Sequence, residues 1–289
     1  MKKPQPFFSI IIPTLNEEKY LPDLLHDLTK QTIDNNQFEV IHVDGNSDDK
    51  TVDSAKKFKD KIKLITLSTK KRNVAHQRNV GTEKATGKWL VFMDADNRLP
   101  DYFLDGIRYQ VNRYSADIYT TWLNTSSQSK TENTIFRVIN LGIAVMNGIG
   151  VTTALGAMLI VKPKVFAEAK FPLNHKLGED GLFVDAALEK GFLFFTLREP
   201  RYTYNLRRVR KEGKLKMLVI EARLILNYLS GDKFTEENFG YVMKGGDYYQ
   251  DADQLPLLKS LHSYVKKATK AQLKIARQIL KQIDTINGN

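Results

Sequence analysis

The chain contains no cysteine in its 289 residues. Disulfides, thiolate metal sites and a cysteine nucleophile are thereby excluded, and a reducing compartment is compatible with the chain without being required. Internal repeats and low-complexity tracts are also lacking. A convincing membrane span is lacking too. The charge-free stretch from Val138 to Val161 is long enough to cross a bilayer, but it is interrupted by Gly142, Gly148, Gly150, Gly156, two asparagines and Thr152-Thr153. It reads better as a helix that breaks at Gly148-Ile149-Gly150 before a strand from Ala157 to Val161. A surface-seeking helix that touches a membrane or a lipid-linked substrate stays open there. The opening stretch MKKPQPFFSIIIPTLNEE resembles a secretion signal only at a glance. Pro4, Pro6 and Pro13 interrupt it and no small-residue cleavage site follows, so a first strand ending at Pro13 is expected.

Acidic charge is scarce in two segments of the C-terminal third. The formal net charge is +11, and two segments account for it: Arg198 to Lys216 has eight Lys/Arg against two Glu, and Leu255 to Asn289 has seven against one Asp. These segments would meet anionic lipid headgroups or phosphate-bearing substrates, or simply keep a helix face solvated. A basic nucleic-acid-binding module without catalysis is the non-enzymatic alternative. Its weakness is the absence of a recognisable motif or interleaved stacking aromatics apart from Tyr202 and Tyr204, and no nucleic acid partner is expected.

What is present looks globular: 42% hydrophobic and 27% charged residues, in a chain long enough for one large or two small domains. The first half alternates β-rich runs (Phe8 to Ile12, Phe38 to Val43, Ile62 to Leu67, Trp89 to Met93) with helical patterns from Glu17, Thr51 and Asn73. This βαβαβαβ series predicts an α/β fold with a mostly parallel, Rossmann-like central sheet flanked by helices, whose ligands sit beyond the C-terminal ends of the strands. Amphipathic helices are expected from Lys214 to Leu229 and from Leu255 to Ile286.

Polar clusters follow three of those strands: Asn16 and Glu17, then Asp44 to Asp49, then Asp94-Ala95-Asp96. Each alone has a structural explanation in turn or capping chemistry. Their coincidence on one sheet edge points to a site. Residues two apart on an extended segment face the same way, so Asp94 and Asp96 would both reach one divalent cation past the small Ala95. Oxygen-only ligands suit Mg²⁺ or Mn²⁺, which usually share their shell with substrate phosphates.

These motifs resemble those of family 2 glycosyltransferases of GT-A fold, in family order, from Phe8 to about Leu197. Ser9 to Glu17 resembles the opening strand and nucleotide-contacting turn, with Pro13, Thr14, Asn16 and Glu17 at its contact positions. Val43 to Thr51 resembles the second motif, in which the residue matching Asp44 reads the nucleotide base, with Ser47 beside it. Arg78 in Arg78-Asn79-Val80-Gly81 matches an arginine that helps to hold the nucleotide. Asp94, Ala95 and Asp96 match the metal and nucleotide position, and Gly178-Glu179-Asp180 matches a Glu-Asp motif whose aspartate is the catalytic base. The second motif has one aspartate before its glycine where many relatives have two. No Gln-x-x-Arg-Trp pattern accompanies Arg207-Arg208-Val209-Arg210, which argues against a processive polymerase.

The resemblance implies a metal-dependent inverting transferase. It would move one sugar from a nucleotide-sugar donor, with a UDP sugar expected, to a hydroxyl of a glycan or lipid-linked saccharide in cell-envelope polysaccharide synthesis. Asp180 would be the base and Glu179 would position it or the acceptor. Arg207, Arg208 and Arg210, with Gly156 and His175, are candidates for phosphate or acceptor contacts. The expected organisation is a GT-A domain over residues 1–205, with a nucleotide-binding half to about residue 100 and an acceptor-binding half beyond. A basic helical extension over residues 206–289 would cover the acceptor side or dock on a membrane surface. The expected location is cytoplasmic, including the inner face of the cell membrane. Two enzymatic alternatives are transfer to polyprenyl phosphate and nucleotidyl transfer.

Overall fold

The computed structural model describes residues 5–125, 158–174 and 178–205, together with Asn133, Asn140 and Ile143. All of them belong to the unit Met1–Asn205. Strands are β1 (Phe8–Thr14), β2 (Phe38–Asp44), β3 (Leu64–Ser68), β4 (Trp89–Met93), β5 (Ile118–Asn124), β6 (Met158–Val161) and β7 (Phe194–Thr203). Helices are α1 (Leu21–Thr29), α2 (Thr51–Lys56), α3 (Val74–Lys84), α4 (Phe103–Arg113), α5 (Pro163–Glu168) and α6 (Glu179–Glu189). The strands form one sheet in the order β3-β2-β1-β4-β6-β5-β7. β3, β2, β1 and β4 are parallel, β6 is antiparallel to both its neighbours, and β7 runs parallel to β5. The mostly parallel α/β sheet read from the sequence is therefore the architecture observed.

Burial explains the sequence pattern. Every residue of β1, β2 and β4 is buried, and a strand covered on both faces reads as a continuous apolar run instead of an alternating one. One face carries Ile11, Ile41, Val43, Leu90, Phe92, Leu159 and Val161, which cluster with Ala75 of α3, Val165 and Phe166 of α5, and Phe183, Val184 and Ala187 of α6. Strand alternation puts Ile10, Ile12 and Val40 on the other face. There α1 contributes the buried Leu21, Leu24, Leu25 and Leu28, and α2 contributes Ala55.

Several boundaries differ from the expectation. The helix expected from Glu17 starts at Leu21, since Pro22 occupies the first turn and Glu17 to Tyr20 close a turn in which Tyr20 N donates to Glu17 O at 3.1 Å. β3 begins at Leu64 rather than Ile62, and the strand expected from Ala157 is described from Met158 to Val161, with Ala157 itself outside the described residues. β5 and β7 were not among the expected strands. β7 is the edge strand of the sheet, with Thr203 alone bridged on its outer side, to Arg98, among the described residues, which is why it tolerates Arg198, Glu199, Pro200 and Arg201. No helix among the described residues is long and apolar enough to cross a membrane. Most of Val138 to Val161 and both C-terminal helical patterns lie outside the described residues.

Candidate active site

β1 and β2 stay in register to their ends, so Thr14 stands opposite Asp44 at the C-terminal rim. The buried Asp44 carboxylate accepts from Ser47 N at 3.0 Å, Ser47 Oγ at 2.5 Å and Thr14 Oγ1 at 3.3 Å. Thr14 Oγ1 also lies 2.8 Å from His42 Nε2. A hydroxyl has one proton, and Thr14 directs it at Asp44, so the proton shared with His42 belongs to Nε2. His42 is wholly buried, and burial pushes its pKa down to about 4 against the opposing pull of Asp44. The neutral ring thus donates into a relay that ends on Asp44. Asn16 N donates to Ser47 Oγ at 2.9 Å, and Asp48 N donates to Asn16 Oδ1 at 2.8 Å. Asn16 and Asn46 both take left-handed backbone angles, φ 57° and 65°, which asparagine tolerates better than most residues. Glu17 N donates to Thr51 Oγ1 at 2.8 Å, so the segment Pro13 to Glu17 and the loop after β2 form one platform. Gln77 reaches across to donate to Thr14 O at 2.6 Å and Val43 O at 3.0 Å.

α3 supplies the centre of the site. Its first turn is capped by Asn73, whose Oδ1 accepts from His76 N at 2.8 Å. Arg78 is 2% exposed. It donates from Nη1 to Glu179 Oε1 at 2.8 Å and from Nη2 to Asp94 Oδ1 at 3.1 Å, and its guanidinium carbon lies 5.2 Å from the centre of the Phe171 ring. Burial works against its charge, yet Glu179, Asp94 and Asp180 outweigh it and raise the Arg78 pKa. Asn79 grips the backbone of Phe171 with both ends of its amide, donating to Phe171 O at 2.9 Å and accepting from Phe171 N at 3.2 Å. Gly81 faces β1 so closely that a Cβ there would sit 2.5 Å from Ile11 Cγ2. Each defined position of the Arg-Asn-x-Gly pattern therefore has its own structural reason.

The chain turns directly after β4, with Asn97 N donating to Asp94 O at 3.2 Å. The extended geometry expected for Asp94 and Asp96 is thus corrected: both stand on a turn. What places them is strand register. β4 lies beside β1 with Phe92 opposite Ile11, and β2 lies on the other side of β1 with Asp44 opposite Thr14, so the turn after β4 and Asp44 leave the sheet at the same C-terminal rim. Ala95 and Asp96 are buried at 3% and 8% exposure. Among the described residues no group of three or more His, Cys, Asp or Glu could hold a metal ion by itself. Two oxygen-donor side chains nonetheless fit Mg²⁺ or Mn²⁺, which commonly take one or two carboxylates and complete their shell with substrate phosphate and water. Arg78 occupies only Oδ1 of Asp94.

α6 brings the third acidic pair. Gly178 precedes it with a left-handed φ of 73°, a conformation that costs glycine little, and Leu182 N closes the first turn on Gly178 O at 3.0 Å. Phe183 stacks on Phe171 with centroids 4.4 Å apart, and Phe171 meets Phe92 edge-on at 5.0 Å. This aromatic column fixes the helix start against β4 and Arg78. Glu179 is buried, with Oε1 on Arg78. Burial and the neighbouring Asp180 push its carboxyl up to about 7, despite Arg78. Asp180 is half-buried, and burial raises its pKa against the opposing pull of Arg78.

Asp94, Arg78, Glu179 and Asp180 are therefore gathered at one place, and Thr14, Asp44 and Ser47 form a second polar group on the same rim. Gly156, His175, Arg207, Arg208 and Arg210 lie outside the described residues. Sequence reasoning assigned no role to His42 or Gln77, and Asn79 entered only as part of the Arg-Asn-x-Gly pattern. A histidine inside the apolar run Val40-Ile41-His42-Val43 was the one local signal among them.

The model of the family "Glycosyl transferase family 2" matches residues 9–168. The Staphylococcus aureus poly(ribitol-phosphate) beta-N-acetylglucosaminyltransferase TarS is 27% identical over 208 residues, 70% of this chain and 36% of TarS. A PGL/p-HBAD biosynthesis glycosyltransferase of Mycobacterium tuberculosis is 42% identical over 96 residues, 32% of this chain and 37% of that protein. The chain thus spans little more than a third of the length of these relatives. Among solved structures, S. aureus TarS 1-349 in complex with UDP-GlcNAc superposes with a TM-score of 0.55 at 21% identity, covering 80% of this chain and 69% of that one. The mannosyltransferase PcManGT from Pyrobaculum calidifontis, in complex with GDP-Man and Mn²⁺, gives 0.61 at 15% identity, covering 97% and 86%. At these identities the two structures speak to the fold. The family model spans more than half of the sequence, and its motifs meet at one edge of a mostly parallel sheet: the chain belongs to glycosyltransferase family 2.

Proposed function

We propose that this protein transfers a single sugar from a nucleotide-sugar donor, a UDP sugar by preference, to a hydroxyl of a glycan or lipid-linked saccharide of the cell envelope. The observation that carries this reading is the convergence on Arg78: one buried guanidinium holds Asp94 of the turn after β4 and Glu179 of α6, next to Asp180. The names of TarS, a poly(ribitol-phosphate) beta-N-acetylglucosaminyltransferase, and of the similar minor teichoic acid biosynthesis protein GgaB of Bacillus subtilis support the envelope setting, and the UDP-GlcNAc and GDP-Man complexes support a nucleotide-sugar donor.

In this reading Asp44, Ser47, Thr14, Pro13, Asn16 and Glu17 form the nucleotide platform, with the His42 relay fixing the Asp44 carboxylate for the base. Asp96 and Asp94 would hold Mg²⁺ or Mn²⁺, which supplies positive charge to the departing diphosphate. Arg78 keeps Asp94 and Glu179 in place. Asp180 accepts the proton of the acceptor hydroxyl as that oxygen attacks the anomeric carbon from the face opposite the leaving group, which inverts configuration. A raised pKa suits this role, because a base titrating nearer the working pH takes a proton more readily. Residues 1–205 are assigned as the catalytic domain, with residues 206–289 as a basic extension for the acceptor or a membrane surface.

The test is a donor panel with Mn²⁺ and crude lipid and glycan acceptors, scoring nucleoside diphosphate release. Turnover of one donor, lost in Asp96→Ala, is expected. Pyrophosphate release would indicate nucleotidyl transfer instead, and no turnover across the panel would contradict the reading.

A further inference from the structure

Tyr202 is wholly buried, yet its hydroxyl has no hydrogen-bond partner among the described residues. Buried polar groups are rarely left this way, and a bare one commonly marks the place of a missing ligand or water.

The path of β7 explains where this hydroxyl is. β7 pairs with β5 up to Leu197, opposite Thr121, slips register over the next four residues, and resumes with Tyr202 opposite Leu123. Thr203 then exchanges both backbone hydrogen bonds with Arg98, at 2.9 and 2.8 Å. The end of β7 is thereby sewn to the segment that carries Asp94 and Asp96. Side chains alternate along a strand. Arg201 and Thr203 line a cleft of about 500 Å³ with Asp27 and Arg98, so Tyr202 points to the opposite side. The charges that act on its phenol include those of Asp94, Asp96 and Asp180, with the Tyr204 phenol among them.

We propose that Tyr202 contacts substrate: its phenolic O–H donates a hydrogen bond to an oxygen of the donor's diphosphate, held among Asp94, Asp96 and Asp180. The inference rests on the nucleotide-sugar reading above and adds to it a residue outside the family motifs. A phenol with its ordinary pKa of about 10 is already a protonated, neutral donor near neutral pH. The carboxylates do not accept its proton in this structure, which leaves it for a phosphoryl oxygen. A hydrogen bond made to such an anion in a water-poor site is stronger than one made in water.

The test compares wild type with Tyr202→Phe, a change that removes only the oxygen. Urea unfolding of the ligand-free protein and the dissociation constant for UDP with Mn²⁺ are measured on both. Deleting a hydroxyl without a partner leaves nothing newly bare, so the ligand-free variant should be as stable as wild type or more so. Nucleotide binding should weaken about ten-fold or more, as for a hydrogen bond to a charged group. A merely structural phenol would give the reverse pattern, lower stability and unchanged affinity, and that result overturns the proposal. Unchanged UDP affinity with a raised KM for acceptor also overturns it, in favour of a contact to the acceptor hydroxyl. Wild type that binds no nucleoside diphosphate would defeat the reading of the whole site, an outcome visible before the variant is compared.

Discussion

Nη1 of Arg78 donates to Oε1 of Glu179 at 2.8 Å, across 101 residues of sequence, with both side chains buried. Breaking a buried ion pair by removing one partner leaves the other charge uncompensated. Arg78→Met should therefore destabilise the protein by about 3–5 kcal/mol, read as a drop in the urea midpoint. Adding Glu179→Gln to that variant should recover part of the loss. Arg78→Lys should not restore the wild-type value, because an ammonium lacks the planar fork that serves Asp94 and Glu179 together.

Burial of Glu179 beside Asp180, working against Arg78, sets a pH dependence. Glu179 titrates near 7 in the folded protein against an ordinary 4.5, so the folded state binds the proton more tightly than the unfolded chain. Its contribution favours folding fully below about 4.5 and is lost as pH rises through about 7. The stability of wild type relative to Glu179→Gln should accordingly fall across that window and level off above it. A difference that is flat, or that rises with pH, would contradict the assignment.

Gly81 allows α3 to rest on β1. Because a Cβ would meet Ile11 Cγ2 at 2.5 Å and Val43 Cγ2 at 3.1 Å, Gly81→Ala should overpack the interface. The expected cost is about 1–3 kcal/mol in urea unfolding, even though alanine is the better helix former.

Asp180→Asn separates the acceptor classes. With a hydroxyl acceptor, kcat should fall by about 10²–10⁴-fold while UDP binding stays near wild type. A phosphate acceptor is already ionised and needs no base, so a modest change in kcat would point to polyprenyl phosphate instead.

The parallel half of the fold was legible because β1, β2 and β4 are buried on both faces, so apolar runs stop where the sheet edge begins and polar residues follow. β5 and β7 were not. The charges and proline of β7 are compatible with a strand only because it lies at an edge, a fact of topology and not of local pattern. The residue types at the site were readable, but their connections were not. The partners of Arg78 stand 16 and 101 residues away, and the turn bond from Asn97 to Asp94, which replaces the expected extended geometry, leaves no mark on Asp-x-Asp. In the sequence Tyr202 stood out only as an aromatic within a basic segment, since its missing partner is a property of the packed interior.

The central claim is that carboxylates on this rim hold a divalent cation against a nucleotide diphosphate. Calorimetric titration of UDP, and of GDP in parallel, with and without Mn²⁺ tests it most directly. Saturable binding that requires Mn²⁺ and disappears in Asp96→Ala is the expected result. Equal binding with and without the metal, or an Asp96→Ala protein that binds like wild type, would contradict it.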